Sequence, residues 1–378
     1  MLQSADNELA WPFSGALKRS DQGRRVLLCG YYGEHNLGDD ALLEVLLGEI
    51  PPGWQPVVTA HDQRAVVGQH AHVMTVARRS LPETIKALFQ CDVLVLGGGS
   101  LLQDSTSLKS LVYYLALIGL ARLKGRPVIL WGQGLGPLRR SISRVLVRAV
   151  LPMVQAIGWR DAASQALAKR WRIRVPSLMA ADPVWSYPTR TWKGNSCDPS
   201  ELSGVVLCWR PTDQLDSDGW ASLLKAACAV AEQQNLPVTW LAFHQHQDQG
   251  LPAALMDQAL IPEALRARST FLVATSLQQV MDVFAHAQLV LAMRLHALIL
   301  ARLCGAPCGA LSYDPKVAAA AAMAEVDCVD LDALPSTSEL IDRWTDQLGQ
   351  SVSIDGLARI TADASRHGEL LRQTLQVV

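Results

Sequence analysis

One rhythm, starting at Arg24 and running through most of the chain, limits the fold more than any other feature. A short β-branched or apolar run gives way to glycine or polar residues, then to apolar residues at helical spacing. Runs at 26–30, 56–60, 72–77, 93–96, 128–131 and 156–159 read as strands. Segments 40–50 and 108–123 read as helices, the first with Leu42, Leu43, Leu46, Leu47 and Ile50 on one stripe. Strands alternating with helices imply βαβ units and a parallel sheet. A run such as VLVL, apolar at every position, fits a strand buried on both faces.

The rhythm stops at 186–203 (SYPTRTWKGNSCDPSELS), a polar stretch that reads as a linker. It restarts with runs at 205–209, 238–243, 271–274, 289–293 and 309–313. The expectation is an α/β protein with two Rossmann-like domains, 24–185 and 204–378, whose parallel sheets face a cleft. The last helix is expected to pack back on the first domain. Residues 1–23 lack an apolar core of the signal-peptide kind and read as a loosely ordered tail.

Composition removes several function classes. Hydrophobic residues make up 49% and charged ones 18%, which places the chain among globular proteins. A formal net charge of −1 gives no global electrostatic case for nucleic acid. The eight cysteines include no C-x-x-C, and Cys304 and Cys308 have no second pair at zinc-finger spacing. They read as reduced thiols, with no metal site and no cofactor expected. The apolar stretch 111–123 is too short to span a bilayer and contains Arg122. A cytoplasmic location is expected.

In sheets of this kind ligands sit beyond the carboxyl ends of the strands, so the loops there are the candidate sites. GYYGEHNLGDDALL (30–43) combines Gly30, Gly33 and Gly38 with Asn36, Asp39 and Asp40. A free helix start attracts anions, but two aspartates repel them, so this loop suits a sugar better than a phosphate. It could equally be a capped turn. LGGGSLLQD offers Gly98, Gly99, Ser100 and Asp104, and WGQGLGP offers Gln133, followed by Arg139 and Arg140. For both, the plain alternative is a packing turn. Arg160 and Asp161 stand at another strand end, where an Arg–Asp ion pair is the structural alternative.

AMRLHALIL places Arg294 and His296 between apolar runs, and SYDPK adds Lys316 at the next strand end. An arginine in such surroundings is costly unless it meets an anion or a partner. Arg, His and Lys together suit a small dianion and acid catalysis.

In this order, GYYGEHNLGDDALL, LGGGSLLQD, GQGLGP, RDAAS, RLHALI and YDPK resemble the polysaccharide pyruvyltransferase family, and most closely its CsaB-like cell-wall members. The resemblance covers roughly residues 24–350. It implies a two-domain fold similar to GT-B glycosyltransferases. It also implies phosphoenolpyruvate as donor and a sugar acceptor, often lipid-linked N-acetylmannosamine, with a pyruvate ketal as product. A lipid-linked acceptor would bring the protein to the inner face of the membrane. Arg294, His296 and Lys316 match the family's RLH and DPK positions, and Arg160 is the chosen upstream arginine, ahead of Arg139 and Arg140.

Under this reading the cations clamp the donor and His296 handles the proton. Asp39, Asp40 or Asp104 orients the acceptor. Two rivals stand: a nucleotide-sugar glycosyltransferase, recruiting Asp330 or Asp332, and a non-catalytic glycan-binding relative. His244 and His246 are candidates for the acceptor side.

Overall fold

The computed structural model describes residues 23–105, 107–188, 204–350 and 353–378. Most of the expected tail and linker lies outside these residues. The chain forms two wholly parallel sheets. The first comprises β1 (Arg24–Tyr32), β2 (Trp54–Ala60), β3 (Met74–Ala77), β4 (Val93–Leu102), β5 (Val128–Leu135), β6 (Ala156–Trp159) and β7 (Ser177–Met179), in the order β3-β2-β1-β4-β5-β6-β7. The second comprises β8 (Val205–Cys208), β9 (Val238–Ala242), β10 (Ser269–Val273), β11 (Leu289–Ala292), β12 (Cys308–Ser312) and β13 (Asp327–Asp330), in the order β10-β9-β8-β11-β12-β13.

Each sheet reverses its order once, between β1 and β4 and between β8 and β11. In register, Cys29 lies beside Leu96 and Cys208 beside Ala292. A crevice opens at the carboxyl side of such a switch point. The two crevices carry the opening Gly-rich loop, the triple glycine and the RLH motif.

Two edge strands, β7 and β13, escaped the sequence reading because they are short and only partly apolar. The glycine motifs also differ from expectation. Gly97 pairs with Trp131, Gly99 with Gln133 and Leu102 with Leu135, so β4 and β5 run on through GGGSLL and GQGL. The sheet accommodates this because Gly98, Gly99 and Gly132 adopt positive φ and the register shifts locally.

The two sheets are held together by helices that are mostly apolar and largely buried. Helix Leu37–Gly48 buries Leu37, Ala41, Leu42, Leu43, Val45 and Leu46, and helix Leu295–Leu303 is buried over nearly its whole length. Apolar helix surface must be covered, and these two helices pack against each other. As a result, one apolar cluster takes in Leu42 and Val95 from the first half and Leu298 and Val290 from the second. Backbone bonds cross the same junction: Leu37 N–H donates to the Phe243 carbonyl (3.3 Å) and Gln245 N–H to the His35 carbonyl (3.0 Å).

The final helix, Ile354–Gln376, returns to the first sheet. Asp363 accepts the Ala181 N–H (2.7 Å), His367 Nε2 bonds the Ala181 carbonyl (3.0 Å), and Arg372 pairs with Glu49. Leu371 and Leu375 enter the shared apolar cluster. No helix among the described residues is long and apolar enough to cross a membrane.

Leu371→Ala removes a fully buried side chain from this docking surface. Chemical denaturation should show a loss of about 2–5 kcal/mol.

Candidate active site

The site is built around Asp182, which follows β7. The residue is 5% exposed. Arg160, directly after β6, donates from Nη1 to Asp182 Oδ2 (2.8 Å) and from Nη2 to Ser100 Oγ in β4 (2.9 Å). From the second half of the chain, His296 brings Nε2 to 3.5 Å from the same Asp182 oxygen, long for a hydrogen bond but close for an ion pair. Burial alone would push the Asp182 pKa up, yet His296 and Arg160 overcome it and hold the carboxyl well below the usual range.

Glycines make room for this cluster. A Cβ on Gly38 would overlap His296 Nδ1, and one on Gly134 would lie 2.6 Å from Ser100 Oγ and 3.2 Å from Arg160 Nε. Asn36 caps helix Leu37–Gly48 by accepting the Gly38 N–H (3.2 Å), and its amide donates to Asp39 Oδ2 (2.6 Å). Asp39 is half-buried near His296. Burial raises its pKa, against the opposing pull of His296 and Asn36. Asp40 is buried, and burial pushes its pKa from the ordinary 3.8 to about 7.

Arg160 and Ser100 open onto a cleft of about 1370 Å³ between the two halves. Across it stand Arg210 and Lys316. Arg210 follows β8, lies 4.6 Å from the Tyr313 ring centre and donates to the Tyr313 hydroxyl (3.1 Å). Lys316 Nζ is 3.3 Å from Asp314 and partly exposed. Arg139 and His246 also line the cleft.

Other residues singled out in the sequence have framework contacts. Gln133 is fully buried and ties β5 to the carbonyls of Leu96 (3.2 Å) and Gly98 (3.0 Å). Asp104 accepts the N–H groups of Arg139 (2.7 Å) and Arg140 (2.9 Å). Gly33 turns against the Asp62 backbone, and Gly98 lies against Leu42. Gly99 lies nearer the site, where a Cβ would be 3.9 Å from Asp39 Oδ1. Asp161 caps the next helix through the Ser164 N–H (2.7 Å), so the ion pair of Arg160 is with Asp182 instead. Asp330 caps a single turn through the Asp332 N–H.

Arg294 meets a protein partner. Its guanidinium grips Asp248 through two nitrogens, one at 3.1 Å from Nε, and donates to Gln247 (3.0 Å). Asp248 also accepts the His244 N–H (2.8 Å). Burial, with Arg294 nearby, lowers the His244 pKa to about 4. The two ends of the RLH motif therefore do different things: Arg294 anchors the loop after β9, and His296 reaches into the first half.

Sequence reasoning missed Asp182, Arg210 and Asp248. The first two each stand directly beyond an apolar run, the position that flagged the other candidates. Asp248 carried no such signal.

The sequence profile of the family described as polysaccharide pyruvyl transferase matches residues 36–315. The chain belongs to this family. Among curated proteins it has no match. Similar solved structures include the S. aureus MnaA–UDP complex (10% identity, 94% of this chain and 98% of that one, TM-score 0.62). Another is a putative UDP-N-acetylglucosamine 2-epimerase from Listeria monocytogenes (10%, 94% and 95%, 0.60), and a third is the Neisseria meningitidis epimerase bound to UDP-GlcNAc (12%, 93% and 99%, 0.58). At these identities the likeness concerns the fold, which is GT-B-like.

Two predictions follow from the buried charges. Between pH 4 and 7, folded Asp40 keeps a proton that the unfolded chain has released, so its contribution to stability falls as pH rises. Asp40→Asn cannot lose that proton, and the variant should gain on the parent by up to about 1.4 kcal/mol per pH unit across that window, then level off. Denaturation curves at several pH values read this directly. Arg294→Ala strands the Asp248 carboxylate and should cost about 3–5 kcal/mol of stability, visible as a lower melting temperature whether or not any ligand is present.

Proposed function

We propose that this protein transfers pyruvate from phosphoenolpyruvate to two hydroxyls of a sugar in a polysaccharide precursor, forming a cyclic ketal. The observation that carries this reading is the distribution of cations around the cleft. Arg160 stands on one wall, and Arg210 and Lys316 on the other. Phosphoenolpyruvate has a carboxylate and a phosphate, and guanidinium groups hold such anions bidentately while a lysine acts as a point charge.

His296, ion-paired with Asp182, is the proton donor in this scheme. Its proton goes to the methylene carbon of the donor, leaving C2 with oxocarbenium character. One sugar hydroxyl adds to C2 and gives up its proton. The C2–O bond to phosphate then breaks, phosphate leaves, and the second hydroxyl closes the ring and releases its own proton. Of the two protons lost by the sugar, one restores His296 and the other leaves with phosphate or solvent. Asp182, 3.5 Å from Nε2, keeps the imidazole ring oriented. Asp39, beside His296 and Asn36, is placed to orient a hydroxyl. Lipid-linked N-acetylmannosamine is the acceptor that the CsaB-like motifs favour, with catalysis at the inner face of the membrane. No cofactor enters the scheme.

Transfer of labelled pyruvate to amino-sugar acceptors tests the reaction. His296→Ala should lower kcat by about 10²–10⁴-fold with little change in KM for phosphoenolpyruvate. Lys316→Ala should act mainly on KM. A His296→Ala variant that keeps most of its rate would remove the acid assignment. Transfer of sugar from a nucleotide sugar, without pyruvate transfer, would replace the reading with a glycosyltransferase.

A further inference from the structure

Between Asp104 and Asp161 the chain carries nine lysines and arginines and no aspartate or glutamate, although the whole chain is balanced at a formal net charge of −1. That stretch supplies helices Leu108–Leu123 and Ser141–Val150, which pack against each other on one face of the first sheet. Their inner sides, with Leu111, Leu117 and Val147, enter the core.

Their outer sides mix exposed cations with exposed aliphatic side chains, and carry no acidic residue. Leu123 is 83% exposed, Val145 62% and Ile142 54%. Arg144 and Arg148 are exposed on the same short helix as Ile142 and Val145. The neighbouring helix Ala162–Arg170 ends in Lys169 and Arg170, which extends the positive charge.

We propose that the outer face of helices Leu108–Leu123 and Ser141–Val150 docks on an anionic phospholipid bilayer. Aliphatic side chains fit that partner when they stand among cations such as Arg144, which donates to the Leu138 and Arg139 carbonyls and forms no ion pair with a carboxylate among the described residues: the aliphatics enter the upper acyl region while the guanidinium groups stay level with the phosphates. A nucleic acid would use the charge but has no use for exposed isoleucine and valine. The face adjoins the cleft, because Arg139 lines the cleft and Ser141 begins the second helix. Docking therefore brings the cleft rim to the lipid surface, where a lipid-carried sugar would be presented. The purpose of the surface rests on the reading of the acceptor given above; its existence does not.

The test is co-sedimentation of the full chain with vesicles of phosphatidylglycerol and phosphatidylcholine, against phosphatidylcholine alone. The chain should be retained only by the anionic vesicles, and less so as salt is added. Ile142→Glu with Val145→Glu, and separately Arg144→Glu with Arg148→Glu, should each lower retention by about tenfold or more at unchanged melting temperature. Arg359→Glu, exposed on the last helix, should leave it unaltered. Absence of retention, equal retention on neutral vesicles, or indifference to both double substitutions overturns the proposal. So does binding to duplex DNA, lost in both variants, without vesicle binding. Pyruvate transfer to a water-soluble acceptor, measured in parallel, should persist in the Ile142/Val145 variant. Its absence in the parent would count against the reaction alone and leave the vesicle result standing.

Discussion

The arrangement depends on one buried anion shared between the two halves of the chain. Asp182 lies where water cannot solvate its carboxylate, and a charge there is tolerable only if cations replace the water. One cation, Arg160, comes from the first sheet and the other group, His296, from the second half. Neither half alone supplies both partners. The chemistry of the site and the joining of the domains are thus the same electrostatic event.

Apolar packing brings those partners within reach. Helices Leu37–Gly48 and Leu295–Leu303 each bury most of their apolar side chains, and each covers part of the other. Their starts carry Asn36 and Asp39 on one side and Arg294 and His296 on the other. Gly38 lets the imidazole come against the first helix, where any side chain would block it. The final helix reinforces the same point from behind, since Asp363 and His367 hold Ala181, the residue before Asp182.

Much of the fold was legible because buried parallel strands write themselves as continuous apolar runs. VLVL at 93–96 and VVLC at 205–208 are such runs, and both are central strands next to a switch point. The edge strands Ser177–Met179 and Asp327–Asp330 were hidden because an edge strand needs less apolar surface. The triple glycine read as a loop because glycine has no strand preference, yet neighbouring strands paired its backbone. In the site, Ser100, Arg160 and His296 were legible as polar residues at strand ends. The division of labour between Arg294 and His296 was not. A lone arginine among apolar residues announces that it needs a partner, but the partner, Asp248, lies on a different loop in a helical turn with no strand-end signal.

The sequence by itself determined the alternation of strands and helices, the places where polar groups leave the sheets, and the six motifs that mark the family, because each depends on the spacing of neighbouring residues. Only the tertiary structure decided which charges meet. Ion pairs such as Arg160–Asp182 and Arg294–Asp248, and the approach of His296 to Asp182, join residues far apart in the chain. Their formation is governed by the order of strands in each sheet and the packing of two apolar helices, neither of which local spacing encodes.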